Sequence, residues 1–405
     1  MITRDFFQIL KSQTTLEAVL LWGPRQVGKS TLLQLLEPVS EVTLDDLEWR
    51  RQAQTDPAFL LDQQRLPCLI DEVQYAPQLF SEIKLRIDSG RRADLKAGRL
   101  PQASAQYFLT GSNRTLLEAS TRESLAGRCS IFELHGLSVA ELVRYEPAIR
   151  LSTLMLRGGF PELYRRPELR PVSYLNDYIS TFIEKDIGRS SGIEKIDAFL
   201  TLLRLLATRV GQFINFSDLA QLTGVDVKTV QSWVNVLQRN FVVQLVLPWS
   251  SNLSKRITKM PKLHFYDVAL CARLQGHQDE DLLMASPQAG AMFESMVFSE
   301  LAKTRANFCL DWQIWTWRTK ERNEIDFILQ TATSNFLIEV KLGIQSAKSF
   351  SLDTEGQKVF GDHCKQVVVT AGGATAALDN KTWRVPIQEL GAWLRSQTAS
   401  APSGY

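Results

Sequence analysis

Residues Gly23 to Ser30 read GPRQVGKS, preceded by the apolar run AVLLW (Ala18 to Trp22) and followed by the helical run TLLQLL (Thr31 to Leu36). A Gly-x4-Gly-Lys-Ser string at a strand-to-helix junction is the pattern of a phosphate-binding loop. Its glycines let backbone N–H groups curl around anionic oxygens at the positive end of a helix. In that role Gly23, Pro24, Arg25, Gln26, Val27, Gly28, Lys29, Ser30 and Thr31 line the phosphates. Lys29 reaches the β and γ phosphates, and the Ser30 hydroxyl ligates Mg²⁺.

Binding alone needs no more than the loop; hydrolysis needs acids beside it. The run Cys68-Leu69-Ile70-Asp71-Glu72 supplies them as a short strand ending in two carboxylates. Asp71 fits the magnesium shell, and Glu72 orients the attacking water. FLTGSN, Phe108 to Asn113, ends another strand with Thr110, Ser112 and Asn113, polar groups suited to sensing a γ-phosphate. Arg128, in SLAGRCS, has two readings: a cationic finger for the transition state, in its own or a neighbouring subunit, or a surface ion pair.

Working outward, the runs at Ala18 to Trp22, Val42 to Asp45, Cys68 to Asp71 and Tyr107 to Thr110 alternate with helical patterns, which predicts a parallel α/β sheet over residues 1–150. Ser138 and Glu141 form a capping box that opens a helix after the strand-like Ser130 to Leu134. Residues 151–280 read as helical, with a winged helix over about 197–262. There Ser217 caps one short helix, Thr223-Gly224 turns, and Asp226 caps VKTVQSWVNVLQ. Val227, Val230, Val234 and Leu237 recur at helical spacing, leaving Lys228, Thr229, Gln231, Ser232, Asn235 and Arg239 outward, as on a recognition helix. From Arg239 to Lys262 the basic residues Arg239, Lys255, Arg256, Lys259 and Lys262 meet no acid. The stretch reads either as a phosphate-contacting wing or as a solvated basic loop.

Residues 281–396 form a third region, and 397–405 a flexible tail. A helix near Ala289 to Lys303 precedes strands at Gln313 to Arg318, Glu324 to Leu329, Phe336 to Lys341 and Gln366 to Thr370. Asp326, Glu339 and Lys341 form D-x12-E-x-K across two neighbouring strands, and Glu294 on the helix completes a hard-oxygen set suited to Mg²⁺. The tripeptide alone decides nothing, since an acid two before a lysine recurs at Glu82, Asp94, Asp226 and Asp379. Two readings stand: a cluster, or the solvated face of an edge sheet. Trp312, Trp315 and Trp317 read as strand packing rather than a base-stacking platform.

The 405 residues are 44% hydrophobic and 22% charged, which implies several ordered domains and excludes extensive disorder. With 46 basic and 44 acidic residues the net charge is +2, so any basic surface is local. Cys68, Cys129, Cys271, Cys309 and Cys364 lack the pairing of a disulfide framework or zinc knuckle, and the four histidines lack ligand spacing. No run reaches the ~18 apolar residues of a membrane span, and the N-terminus has no leader pattern, so the expectation is a cytoplasmic protein without membrane partners.

In order along the chain, GPRQVGKS, LIDEVQ, LTGSN, SLAGR, GGFPELYRR, YISTFIEKDI, LTGVDVKTVQSWVNVLQ, KRITKMPKLHFYD, FESMVFSEL, WRTKERNEIDFIL and IEVKLG resemble a prokaryotic family. These are AAA-type ATPases of the archaeal ATPase kind joined to a C-terminal domain of the PD-(D/E)XK restriction-endonuclease-like fold. The resemblance implies ATP and Mg²⁺, assembly into a homo-oligomer up to a hexameric ring, and DNA as partner. It also implies Glu294, Asp326, Glu339 and Lys341 as a nuclease-like constellation. The matching function is an ATP hydrolase coupled to DNA binding or remodelling, with or without cleavage. The alternative is a nucleotide-switched DNA- or protein-binding module whose nuclease-like domain is inactive.

Overall fold

The fold is that of a computed structural model, which describes all residues except 1, 101–103, 113–124, 189–191, 251–259, 319–323, 344–359, 361–363 and 399–405. The chain forms two compact units, Thr3–Gly136 with Ala306–Cys309, and Leu137–Arg305 with the chain from Leu310 onward.

In the first unit the helices are α1 (Phe6–Gln13), α2 (Lys29–Gln34), α3 (Leu47–Thr55), α4 (Pro57–Asp62) and α5 (Gln78–Lys96). The strands are β1 (Ala18–Trp22), β2 (Ser40–Thr43), β3 (Cys68–Asp71), β4 (Tyr107–Gly111) and β5 (Cys129–Glu133). They form one parallel sheet in the order β2-β3-β4-β1-β5. Strands this apolar must be covered on both faces. Along β1, Ala18, Leu20 and Trp22 join the layer of α3 to α5 through Ala53, Leu60, Phe80 and Ile83, while Val19 and Leu21 join α1 and α2 through Phe6, Leu10 and Leu33. Parallel register brings the carboxyl ends of β1, β3 and β4 to one sheet edge, where open α/β sheets bind ligands.

The second unit begins with α6 (Val139–Tyr145), whose Ser138–Glu141 capping box forms as the sequence predicts. Helices α7 (Leu151–Arg157), α8 (Glu162–Arg165) and α9 (Pro171–Tyr178) follow, then a π-helical stretch Ile179–Gly188 and α10 (Ile196–Thr208). Next come α11 (Phe216–Thr223) and α12 (Val227–Arg239), and the antiparallel pair β6 (Val243–Val246) and β7 (Lys262–Phe265). Asn215, not Ser217, caps α11: its side chain accepts the Ser217 N–H, and Asn at an N-cap is as able as Ser. Asp226 caps α12 and Gly224 makes the turn at φ 68°, as the sequence predicts. Trp233 joins Val230, Val234 and Leu237 in the core, whereas Val227 is only half-buried.

After α13 (Val268–Leu274) and α14 (Glu280–Ala285), α15 (Ala289–Asn307) leads into β8 (Gln313–Arg318), β9 (Glu324–Gln330), β10 (Asn335–Lys341), β11 (Cys364–Thr370), β12 (Ala376–Ala377), β13 (Thr382–Pro386) and α16 (Ile387–Thr398). The six strands form a mixed sheet, β12-β13-β11-β10-β9-β8. The end of the β6 segment bridges to it, where Pro248 pairs with Thr316 and the Trp249 N–H donates to the Thr316 carbonyl at 2.6 Å. Trp312 and Trp317 are buried, in keeping with a packing role. Among the described residues no helix is long and apolar enough to cross a membrane.

Candidate functional site

At the shared strand edge of the first unit, the loop leaves β1 through Gly23 (φ 149°), passes Gln26 (φ 61°) and enters α2 at Gly28 (φ 89°). A Cβ on Gly23 would stand 1.9 Å from the Leu134 carbonyl oxygen, so only glycine fits there. The Lys29 side chain is buried, its ammonium donating to the carbonyls of Gly23 at 3.1 Å and Pro24 at 2.7 Å. Burial lowers its pKa, against the pull of the Glu72 and Asp71 carboxylates.

Asp71 and Glu72 close the site from β3. The Ser30 hydroxyl donates to Asp71 Oδ1 at 2.6 Å, and the Thr110 hydroxyl donates to the same oxygen. Glu72 adopts a left-handed backbone, φ 56°, a strained conformation held by its N–H donating to Thr110 Oγ1 at 3.1 Å. Its carboxylate accepts from the Ser112 hydroxyl at 3.0 Å and from the Gln74 amide. Ser30, Asp71, the buried Lys29 ammonium and the backbone at the start of α2 form a donor set that fits Mg²⁺ and a triphosphate.

Sequence reasoning missed three supports of this edge. The Arg4 guanidinium donates to the carbonyls of Val27 at 3.0 Å and His135 at 2.7 Å, fastening the loop to the segment after β5. Arg25 donates to the Tyr75 hydroxyl at 3.0 Å, and Arg50 packs 3.8 Å over the Tyr75 ring. Gln74 holds Glu72. Contacts across the fold reveal the first two, whereas Gln74 lies two residues from Glu72 in the same LIDEVQ run.

Arg128 is not at this edge. Ala18 pairs in register with Cys129, so Arg128 stands at the amino end of the sheet, opposite the loop. It ion-pairs there with Asp88 of α5, Nε to Oδ1 at 2.5 Å and Nη2 to Oδ2 at 3.1 Å. In its own chain it is therefore the surface pair rather than the finger. Asn113 lies outside the described residues, as do Lys255, Arg256 and Lys259.

On α12, Lys228, Gln231, Ser232, Asn235 and Arg239 are exposed, and Thr229 is half-buried because its hydroxyl bonds the Asp226 cap. Lys262 fits neither reading of the basic stretch, a phosphate-contacting wing or a solvated loop: its side chain is 2% exposed.

The C-terminal acids do come together, on adjacent antiparallel strands in which Ile338 pairs with Phe327. Asp326 Oδ2 accepts the Val340 N–H at 2.8 Å, and Lys341 Nζ lies 2.7 Å from Glu339 Oε1. At their centre stands the Lys262 ammonium, 2.6 Å from Glu294 Oε1, 3.4 Å from Asp326 Oδ1 and in contact with Glu324. Burial and Asp326 raise the Glu294 pKa to about 8. Burial pulls Lys262 downward, but Glu294, Asp326 and Glu324 outweigh it and hold the ammonium charged. Among the described residues no group of three or more His, Cys, Asp or Glu is arranged to hold a metal ion. The cluster with Lys262 inside it does not fit the magnesium that the nuclease-like resemblance implies.

Residues 16–143 match the family model of an AAA domain, and 149–281 and 289–390 match two domains of unknown function, DUF8612 and DUF4143. The ORC2 protein of Aeropyrum pernix, solved with ADPNP and ADP, aligns over 73% of this chain and 93% of its own at 12% identity and a TM-score of 0.32, too low to carry an assignment. The uncharacterised proteins Rv2008c of Mycobacterium tuberculosis and Mb2031c of Mycobacterium bovis are each 30% identical over 328 residues, 80% of this chain and 70% of theirs. With the loop, the two strand-end acids and the parallel sheet all within the matched AAA region, the chain belongs to the family of AAA-domain proteins that contains Rv2008c and Mb2031c.

Proposed function

We propose that the protein is a Mg²⁺-dependent ATP hydrolase whose nucleotide cycle governs engagement of DNA. The observation that carries it is the convergence of Lys29, Ser30, Asp71 and Glu72 at one strand edge, with Glu72 held by Ser112 and Gln74. The backbone from Gly23 to Gly28 and Lys29 bind the phosphates, and Ser30 and Asp71 hold Mg²⁺, which neutralises charge on the phosphate oxygens when bound. Glu72 orients the attacking water and accepts its proton at a carboxylate oxygen, while Ser112 keeps that carboxylate in place. Asn113, one residue beyond Ser112, senses the γ-phosphate. Arg128, remote from its own loop, acts across a subunit boundary in a homo-oligomer of ring type.

Support for DNA comes from α12, which follows a tight turn and precedes a hairpin, as in a winged helix, and presents Lys228, Gln231 and Arg239 to solvent. In the sequence, Lys255, Arg256 and Lys259 add positive charge to the stretch that follows. The C-terminal sheet with its acids on neighbouring strands supports a restriction-endonuclease-like fold for residues 281–396. The test is phosphate release by the purified protein with and without linear, forked and four-way DNA. Glu72→Gln should retain nucleotide affinity and lose on the order of 10²- to 10³-fold in rate. Hydrolysis by Glu72→Gln at the parent rate would remove Glu72 from the mechanism, and indifference to every DNA would remove the coupling.

A further inference from the structure

A lysine whose side chain is 2% exposed is expensive, because stripping water from an ammonium costs several kcal/mol unless charged partners replace it. Lys262 finds three such partners on two other elements. Glu294 comes from α15, and Glu324 and Asp326 come from β9. Glu339 on β10 borders the group and interacts electrostatically with both Asp326 and Lys262. The ring of Phe213, whose backbone bridges to Lys262, lies 6.0 Å from the ammonium.

His264 points to the same centre. It lies two residues along β7, is fully buried, stacks on the ring of Phe298 at 5.2 Å and meets the tilted ring of Phe327 at 5.1 Å. Among the described residues neither of its ring nitrogens has a hydrogen-bond partner, and Nε2 is 3.7 Å from Glu294 Oε1. Burial, and then the nearby Lys262 charge, hold the imidazole well below its usual pKa and keep it uncharged. An acidic pocket with an uncharged imidazole at its wall could hold a hard divalent cation, which takes carboxylate oxygens at about 2.0 to 2.6 Å. An ammonium 2.6 Å from Glu294 uses those same oxygens. The two occupants exclude each other.

The geometry points to Lys262 as the resident cation of this cluster, supplied by the chain in place of a metal. While β7 is docked, the C-terminal region takes up no divalent ion and performs no metal-dependent strand cleavage. The cluster instead pins the β6–β7 hairpin to the C-terminal sheet, alongside the Pro248–Thr316 bridge. This assignment is independent of the nucleotide reading, because none of its residues belongs to the loop site.

The experiment is a Mn²⁺ titration of nucleotide-free full-length protein carrying Ser30→Ala to silence the loop, followed by the paramagnetic resonance of free Mn²⁺. The Lys262 parent should bind no stoichiometric Mn²⁺. Lys262→Met should gain one Mn²⁺ per chain, tightened by on the order of 100-fold, and Asp326→Asn added to it should abolish the gain. A stoichiometric, Asp326-dependent Mn²⁺ in the Lys262 parent overturns the proposal, and so does a folded Lys262→Met that binds none. Should Lys262→Met not fold, the parent decides alone: no Asp326-dependent Mn²⁺ upholds the assignment, and its presence overturns it.

Discussion

Gly23→Ala tests the seating of the phosphate loop directly. The added Cβ would lie 1.9 Å from the Leu134 carbonyl oxygen, a contact with backbone rather than with a side chain that could swing aside. Ordinary contact begins near 3.4 Å, so loop or strand must retreat by roughly 1.5 Å, and φ 149° adds strain for any L residue. Displacing a binding group by about 1 Å costs on the order of 100-fold, or about 2.7 kcal/mol of binding. Gly28→Ala is the internal control, since φ 89° is strained there but no atom of the described residues lies within 4 Å of the new Cβ. Fluorescent ATP titrated into the two variants should show Gly23→Ala weakened by about 100-fold or more and Gly28→Ala clearly less. A Gly23→Ala protein with parental affinity would mean that the loop does not rest against Leu134, and the construction of the site would fail with it.

Two further outcomes follow from the same fold. Arg128→Ala should leave ATP affinity unchanged in dilute, dissociated protein and lower stability by about 1 kcal/mol, because it breaks a partly exposed bidentate pair with Asp88; chemical denaturation and the same titration check both. Glu300 on α15 accepts the Val139 N–H at 2.8 Å, and burial raises its pKa from 4.5 to about 7. The folded state therefore keeps a proton that the unfolded chain releases. Stability should fall as pH rises from about 4.5 to about 7, by up to ~1.4 kcal/mol per unit, and thermal melts of Glu300→Gln should lose that share of the slope.

The nucleotide edge was legible because its signals are local. Strand β1 and the glycines are contiguous, as are β3 and its two acids, and parallel pairing of both strands with β4 brings the two stretches to one edge without further information. Arg128 was ambiguous in sequence because its position depends on register, which places it at the wrong end of β5 to serve its own loop. Lys262 was misread for a different reason: a run of bases without acids suggests solvent, yet its acids lie 32, 62 and 64 residues onward. Composition cannot show a neutralising partner supplied from another element. The cap at Asn215 was missed among two adequate capping residues two positions apart. Strand β13 and helix α16 went unread, although Ile387, Leu390 and Leu394 carry the helical period and are buried.

The packing of Lys262 also bears on how the chain can be divided. A cut between the two regions matched as domains of unknown function, after residue 281 and before 289, would strand Glu294, Glu324 and Asp326 on a fragment that has lost its ammonium. Uncompensated negative charge in a half-buried crevice resists compaction. Protein engineers seeking the C-terminal half in isolation are better served by starting at Leu137, the boundary at which the contacts themselves part.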